Sequence, residues 1–214
     1  MPTADATLVH GAGNFLEPSE DGTRVYATTG DGAAAFAVDT ATGALTHINT
    51  VLTELSGNAH ISLPNGGVAV LAAYGGSGVN ILRIRDDGGL AEAVAGSSAS
   101  HGRTGSGVDV GRQASPCPHS AFVDPTGTRV VVSDLGTDRL YCYDIDAASC
   151  SLSRCSTFDS APGAGPRHLV WHPSNRWIYS INVSRYEPVH PTESTEGETR
   201  RAREPRRESE SERT

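Results

Sequence analysis

The chain contains 214 residues, with a formal net charge of −8 and a sequence pI near 5.4. That length is enough to bury one good hydrophobic core. The acidic balance argues against a nucleic-acid partner, because phosphate binding requires clustered positive charge. No apolar run approaches the ~20 residues that a transmembrane helix needs, so we expect no membrane association.

The cysteines and the start of the chain bear on the compartment. Cys117, Cys142, Cys150 and Cys155 show no C-x-x-C spacing of the kind that binds metals. Met1 leads into polar sequence without the apolar core of a signal peptide. We therefore predict a cytoplasmic protein with reduced thiols, no metal and no cofactor, with a Cys150–Cys155 bridge across a hairpin as the alternative.

One unit recurs along the chain. It consists of a turn containing Gly with Pro or Asp, a β-rich strand, a short loop, a second alternating strand and a turn that ends at Leu. Its copies cover 16–45, 64–90 and 124–152, and a fourth opens at His172. The predicted strands are Val25–Ala27, Ala35–Asp39, Val68–Leu71, Val79–Ile84, Val130–Val132, Leu140–Asp146 and Trp177–Ile181.

A repeat of about 45 residues built from several short strands is typical of β-propeller blades. Residues 91–115 are interpreted as a glycine-serine loop inserted between the second and third copies. A β-sandwich is the alternative, but it predicts no repeat. The sequence thus predicts an all-β partial propeller of about three to four blades over residues 1–182.

A segment of different composition follows. Residues 183–214 are dominated by Glu, Arg, Ser and Thr, and almost none of them can be buried. Such a segment cannot offset an ordering cost of roughly 1 to 2 kcal/mol per residue, so we predict a disordered charged tail. The change falls within a strand pattern, and we interpret the chain as truncated, alternatively spliced or read in a shifted frame after Asn182.

The most informative segment is the elbow 161–166, which precedes Arg167 and His168. Its prolines fix φ and its glycines permit left-handed backbone, so it can form a rigid turn. Arg167 would then enter a strand at a defined angle, and its planar guanidinium suits a carboxylate or phosphate. The alternative is that Arg167 pairs with a neighbouring acid and only braces the turn.

Several segments in order resemble the lactonase family of β-propellers, which includes 6-phosphogluconolactonases and carboxymuconate cyclases. They are Gly57–Ser62, Tyr74–Ile81, Arg112–Gln113, Pro118–Ser120, Asp124–Gly127, Asp134–Arg139 and Gly165–His168. The family builds seven blades, so the resemblance implies a propeller that is incomplete in this chain. It also implies a hydrolase that opens a sugar lactone in the manner of 6-phosphogluconolactonase, acting on a small anionic substrate in the pentose phosphate pathway.

The resemblance also implies the site. His119 and Arg167 match positions that line the family's central pocket, with Arg167 binding the anion or oxyanion and His119 acting as base or donor. Substrate-binding candidates at similar loop positions are His60, His101, Arg112 and His168. Two departures stand out. Val183 follows Asn182 where the family commonly has Glu, and Cys117 stands where many relatives have a histidine.

Other interpretations stay open at this point. A histidine on a blade often bonds only the backbone of the next blade. The chain could be a non-catalytic binding module that self-associates through open blade edges, or a muconate-cyclase-like lyase using the same Arg and His. His168 and His172 have the i, i+4 spacing of a helical metal site, but their strand context places them far apart, so no zinc site is predicted.

Overall fold

The computed structural model describes residues 13–183, so nearly all of the predicted tail lies outside the described residues. Val183 is the exception, and its backbone N–H donates to the Gly165 carbonyl over 2.9 Å. No helix that could span a membrane occurs within residues 13–183.

Fourteen β-strands form the described part of the chain. In chain order they are Leu16–Pro18 (β1), Arg24–Thr28 (β2), Gly32–Val38 (β3), Leu45–Leu52 (β4), Asn58–Ser62 (β5), Val68–Ala73 (β6), Gly78–Arg83 (β7), Ser98–Ser100 (β8), Pro118–Val123 (β9), Arg129–Asp134 (β10), Arg139–Asp146 (β11), Ser151–Asp159 (β12), Pro166–Trp171 (β13) and Ile178–Asn182 (β14).

These strands pair as antiparallel meanders. The first three sheets contain four strands each, in the orders β1-β2-β3-β4, β5-β6-β7-β8 and β9-β10-β11-β12, and the fourth sheet contains β13 and β14. The first strands of successive sheets are spatial neighbours, β1 with β5, β5 with β9 and β9 with β13. This radial arrangement confirms the predicted all-β propeller of three to four blades.

The sequence pattern identified mainly the two central strands of each unit. The inner and outer strands are shorter or more polar, and β8 falls inside the segment 91–115, for which the sequence pattern predicts a loop. There Val79 pairs with Ala99 and completes the second sheet. A three-residue strand of Ser and Ala carries no apolar alternation, which explains why the pattern did not show it.

The core lies between the sheets, and β6 shows how alternation produces it. Its residues Val68, Val70 and Ala72 pack toward the third sheet with Ala121, Val130 and Val132. Its residues Ala69 and Leu71 face the other way and join Tyr26, Ala35, Ile61 and Leu82. Successive side chains of a strand point to opposite faces, so one strand of a sheet that has neighbours on both sides contributes to two interfaces.

Among residues 13–183, the fourth sheet has one covered face. Leu169 and Ile178 pack against the third sheet through Val131, Leu140 and Cys142. Val170 and Ile181 point to the other face and are 60% and 59% exposed. The elbow that leads into this sheet is confirmed, because Gly163 and Gly165 have φ of 76° and 61°.

Candidate functional site

The inner strands of three sheets begin with the same irregularity. The register slips by one residue between Asn58 and His60 in β5, between Pro118 and Ser120 in β9, and between Pro166 and His168 in β13. The extra residues at these β-bulges are Ala59, His119 and Arg167. A bulge re-aims the side chain that it carries. The repeated bulge therefore places His119 and Arg167 at corresponding points of neighbouring blades.

These two side chains meet directly. The Nε of Arg167 donates to the Nε2 of His119 over 3.0 Å. Arginine is always a donor, so Nε2 carries the lone pair and the proton of His119 lies on Nδ1. The carbonyl oxygen of Arg167 lies 2.7 Å from the hydroxyl of Ser120 and 2.6 Å from that of Ser133. Both ends of the Arg167 residue are thereby held by the third sheet.

Two further histidines extend the cluster. The ring centroid of His168 lies 5.2 Å from that of His119 and 6.2 Å from that of His60. His60 is buried between Phe15 and Phe122, with centroid distances of 4.0 and 4.8 Å. Its Nδ1 accepts a 3.4 Å hydrogen bond from the Ala121 backbone. His60 therefore makes the contact with the next blade's backbone that the alternative interpretation expects.

Burial disfavours the charged form of all three histidines. Burial, followed by the neighbouring histidines, lowers the pKa of His60 to about 3. Burial and then the Arg167 guanidinium lower the pKa of His119 to about 4, and the same two causes lower the pKa of His168. The charge at the cluster is consequently carried by arginine, which favours an anionic ligand.

Arg112 lies at the margin of this cluster. Its guanidinium acts on both the Tyr74 phenol and His119, where its positive charge lowers the pKa of each. Burial is the main cause that raises the pKa of Tyr74. The Tyr74 ring lies edge-on to His119 at a centroid distance of 5.8 Å. Arg112 therefore lies next to the cluster together with Tyr74, a residue that sequence reasoning did not select as a site residue.

His101 lies elsewhere. Its ring stacks on Tyr141 at 3.9 Å, and its Nδ1 lies 2.6 Å from an oxygen of Asp134. Both side chains are fully buried between the second and third sheets. Burial outweighs the nearby carboxylate and lowers the pKa of His101. The structure thus brings His60, His119, Arg167 and His168 together with Arg112 beside them, and it does not bring His101 to the cluster.

The comparison with known proteins now identifies the fold family. Residues 4–183 match the family described as lactonase, 7-bladed β-propeller. The chain belongs to this lactonase family. It is 37% identical over 159 residues to a 6-phosphogluconolactonase of Bacillus subtilis, covering 74% of this chain and 44% of the relative. It is 31% identical over 125 residues to a 6-phosphogluconolactonase of Pectobacterium atrosepticum, covering 58% and 33%.

Solved structures agree with this assignment. A predicted 6-phosphogluconolactonase of Bacteroides fragilis superposes with a TM-score of 0.75 at 27% identity, covering 88% of this chain and 58% of that one. A periplasmic gluconolactonase of Pseudomonas aeruginosa superposes with a TM-score of 0.74 at 22% identity, which shows the fold alone. The chain spans less than half the length of the lactonase relatives in sequence.

The bulge positions of this lactonase-family chain also have a signature in the sequence. The triplets Asn58–His60, Pro118–Ser120 and Pro166–His168 occupy the same place in successive blades. Aligning them with the repeat would have shown that His119 and Arg167 correspond, and that Ala59 is their counterpart in the second sheet.

A second concave region lies outside the histidine–arginine cluster. An open groove of about 460 Å³ lies between the first and second sheets, where Arg24, Tyr26, Arg85 and Gly88 contribute to its wall. It shares no residue with the histidine–arginine cluster. Arg85 pairs with Asp87, and Arg24 donates to the backbone carbonyls of Thr23 and Asp87. Within residues 13–183, no group of three or more His, Cys, Asp or Glu side chains is arranged to hold a metal ion.

Proposed function

We propose that this chain supplies the anion-binding and water-activating residues of a lactonase that opens a phosphorylated sugar δ-lactone, of the 6-phosphoglucono-δ-lactone type. The names of the sequence relatives support the substrate class. The observation that carries the proposal is the 3.0 Å contact between Arg167 and His119 at corresponding bulges of adjacent blades. It joins a fixed cation to a neutral imidazole, which are the two groups that lactone opening uses.

The reaction defines what each group must do. Water attacks the lactone carbonyl, a tetrahedral oxyanion forms, and the ring oxygen leaves and takes up a proton. Arg167 and Arg112 are the cations at the cluster, and they are suited to a phosphate and to the developing oxyanion. Ala59 occupies the corresponding bulge of the second sheet and contributes no functional group.

His119 is the proposed base, and its availability depends on Arg167. In the unliganded arrangement the lone pair of Nε2 accepts from Arg167, so it cannot take a proton from water. An anion that draws the Arg167 guanidinium away frees that lone pair. The same movement removes a positive neighbour and allows the pKa of His119 to rise toward the operating pH. Substrate binding and base activation would thus be one event.

His168 and His60 have supporting roles in this proposal. His168 lies between the other two rings, and its neutral imidazole can donate a hydrogen bond to a sugar hydroxyl. His60, between Phe15 and Phe122, packs behind His168. We propose that His60 shapes the wall of the site and that His168 contacts the substrate.

The direct test is the opening of 6-phosphoglucono-δ-lactone above its spontaneous rate. Arg167→Ala and His119→Gln should each lower kcat/KM by about 100-fold or more. Arg139→Ala is the control, since Arg139 forms an ion pair with Asp159 at the surface. In the wild type, kcat/KM should fall as the pH drops through about 4, where the free His119 takes up a proton. Wild-type rates equal to those of buffer would refute the proposal.

Two further proposals concern the setting of the protein. All four cysteines, Cys117, Cys142, Cys150 and Cys155, are free thiols. A reducing compartment maintains that state, which supports a cytoplasmic location. The exposed Val170 and Ile181 support self-association of the chain through the fourth sheet, and we propose that a second copy covers this face.

A further inference from the structure

One buried carboxylate holds the loops that carry both arginines of the cluster. Asp138 is 4% exposed and lies in the turn between β10 and β11, with φ of 58°. One of its oxygens accepts from the backbone N–H of Gly163 over 2.7 Å. The other accepts from the N–H of Gly165 over 2.8 Å and from the side-chain amide of Gln113 over 2.7 Å. Hydrogen bonds to a charged carboxylate are about twice as strong as neutral ones.

On one side, Asp138 fixes the elbow. Both glycines have left-handed φ, which turns their N–H groups toward the same carboxylate. Arg167 follows Gly165 by two residues, and its carbonyl is anchored independently by the two serine hydroxyls of the third sheet. The position at which the Arg167 side chain leaves the backbone is therefore determined by Asp138 before it and by the serines at it.

On the other side, Asp138 fixes the loop that carries Arg112. The Gln113 side chain closes this loop, because its Oε1 accepts from the N–H of Asp109 over 3.0 Å. The backbone N–H groups of Arg112 and Gln113 both donate to the Asp109 carbonyl. Gln113 is 2% exposed, and its Nε2 also donates to Leu135. The loop is thus fastened to the same carboxylate as the elbow.

The second sheet contains a matched turn without this device. Ser77 has the same φ of 58°, and its carbonyl accepts from His101 as the carbonyl of Asp138 accepts from Ser160. The Ser77 hydroxyl makes one 2.9 Å bond forward to the Pro116 carbonyl. The third sheet therefore has a charged acceptor with three donors where the second sheet has one neutral hydroxyl.

We propose that Asp138 and Gln113 form a positioning pair that sets the separation of Arg112 and Arg167, and so presets the site for a phosphate before it binds. This inference rests on the proposed function for its substrate. Preorganised cations bind an anion more tightly, because no loop must be ordered on binding. Neither Asp138 nor Gln113 is proposed to touch the substrate.

The test has two measurements. Binding of inorganic phosphate to the full chain is measured by NMR titration, and lactone opening is measured by steady-state kinetics. Asp138→Asn keeps the shape but leaves one oxygen for three donors. It should weaken phosphate binding about 10-fold and raise KM for the phosphorylated lactone about 10-fold, with kcat changed less than about 3-fold. Amide exchange at Gly163 and Gly165 should accelerate. Ser77→Ala is the matched control and should leave phosphate binding within about 2-fold of wild type.

A second variant tests the proposal if Asp138→Asn does not fold. Gln113→Ala does not touch the elbow, so it should loosen only the Arg112 side and weaken phosphate binding by a similar factor. Wild-type phosphate binding and KM in Asp138→Asn, or in Gln113→Ala where Asp138→Asn does not fold, would overturn the positioning role. Phosphate binding that depends on Asp138 without lactone opening would support the positioning role and refute the lactonase proposal. A wild type that neither binds phosphate nor opens lactone would overturn both.

Discussion

Strands β6 and β14 occupy comparable second positions in their sheets, yet they have opposite surroundings. All six residues of Val68–Ala73 are buried, whereas Ile178–Asn182 alternates between buried and exposed positions. The difference follows from neighbours, since within the described part of the chain the second sheet is packed on both faces and the fourth on one. In a propeller the sheet is only half of the structural unit, and the interface with the next sheet is the other half.

The residues of the candidate site lie on sheets that differ in how many of their faces are packed. His60 belongs to the sheet with two packed faces, His119 to the third sheet, and Arg167 and His168 to the sheet with one open face. Arg167 is therefore carried by the least supported strand of the site, which explains why the elbow and the serine hydroxyls must hold its backbone. The comparison predicts that changes in the second sheet will cost stability, and that equivalent changes on the open face will not.

The largest expected effect is in β6. Leu71→Ala removes a fully buried side chain from the interface with Tyr26 and Ala35 of the first sheet, and it should reduce the free energy of unfolding by about 2 to 5 kcal/mol. Val170→Ala on the open face is the matched control and should change it by less than about 0.5 kcal/mol. Chemical denaturation of both variants measures the difference. Equal losses would contradict the assignment of stability to the sheet interfaces.

A pH effect of intermediate size should arise from His60. Its pKa is about 3 in the folded protein and near 6.5 when unfolded, so the unfolded state binds more protons between these values. The stability is fully present above pH 6.5 and is lost as the pH falls toward 3. Between pH 7.5 and 5 this group should cost about 2 kcal/mol.

His60→Phe separates this effect from other titrations. Phenylalanine keeps an aromatic ring beside Phe15 and Phe122 and cannot take up a proton, so the loss of stability between pH 7.5 and 5 should become smaller by about the same amount. Denaturation midpoints at several pH values provide the measurement. An unchanged pH dependence in His60→Phe would show that His60 is not the group responsible.

The repeat could be predicted because the central strands of each blade alternate between two apolar faces. Val68–Leu71 and Val130–Val132 carry that signal. The inner and outer strands could not be predicted in this way. Strands such as Ser98–Ser100 show no apolar alternation and are specified by pairing with their neighbours. The same reason explains why the insert 91–115 concealed the last strand of the second sheet.

Residues of the candidate site could be predicted where a residue type and a backbone feature coincide. The elbow glycines indicated that Arg167 is held in a defined orientation, and the family resemblance added His119 and His168 as candidates. The resemblance also suggested His101, but a loop position does not show which way a side chain turns, and His101 turns into the interface toward Asp134. The role of Asp138 in holding the elbow could not be predicted from the sequence, because its partners Gly163 and Gly165 lie more than twenty residues away along the chain.

The smallest expected effect on stability is on the open face of the fourth sheet, where the comparison can be sharpened most directly. Val170→Thr and Ile181→Thr keep the β-branched shape that suits a strand and replace exposed apolar surface with hydroxyls, so unfolding should shift by less than about 0.5 kcal/mol. If a second copy covers this face, the same changes should shift the protein toward monomer in light scattering at micromolar concentration. Leu52→Thr, on the exposed β4 of the first sheet, is the control for a general gain in polarity. A wild type that is already monomeric would refute self-association, and its open face would then be one that the fold tolerates in solution.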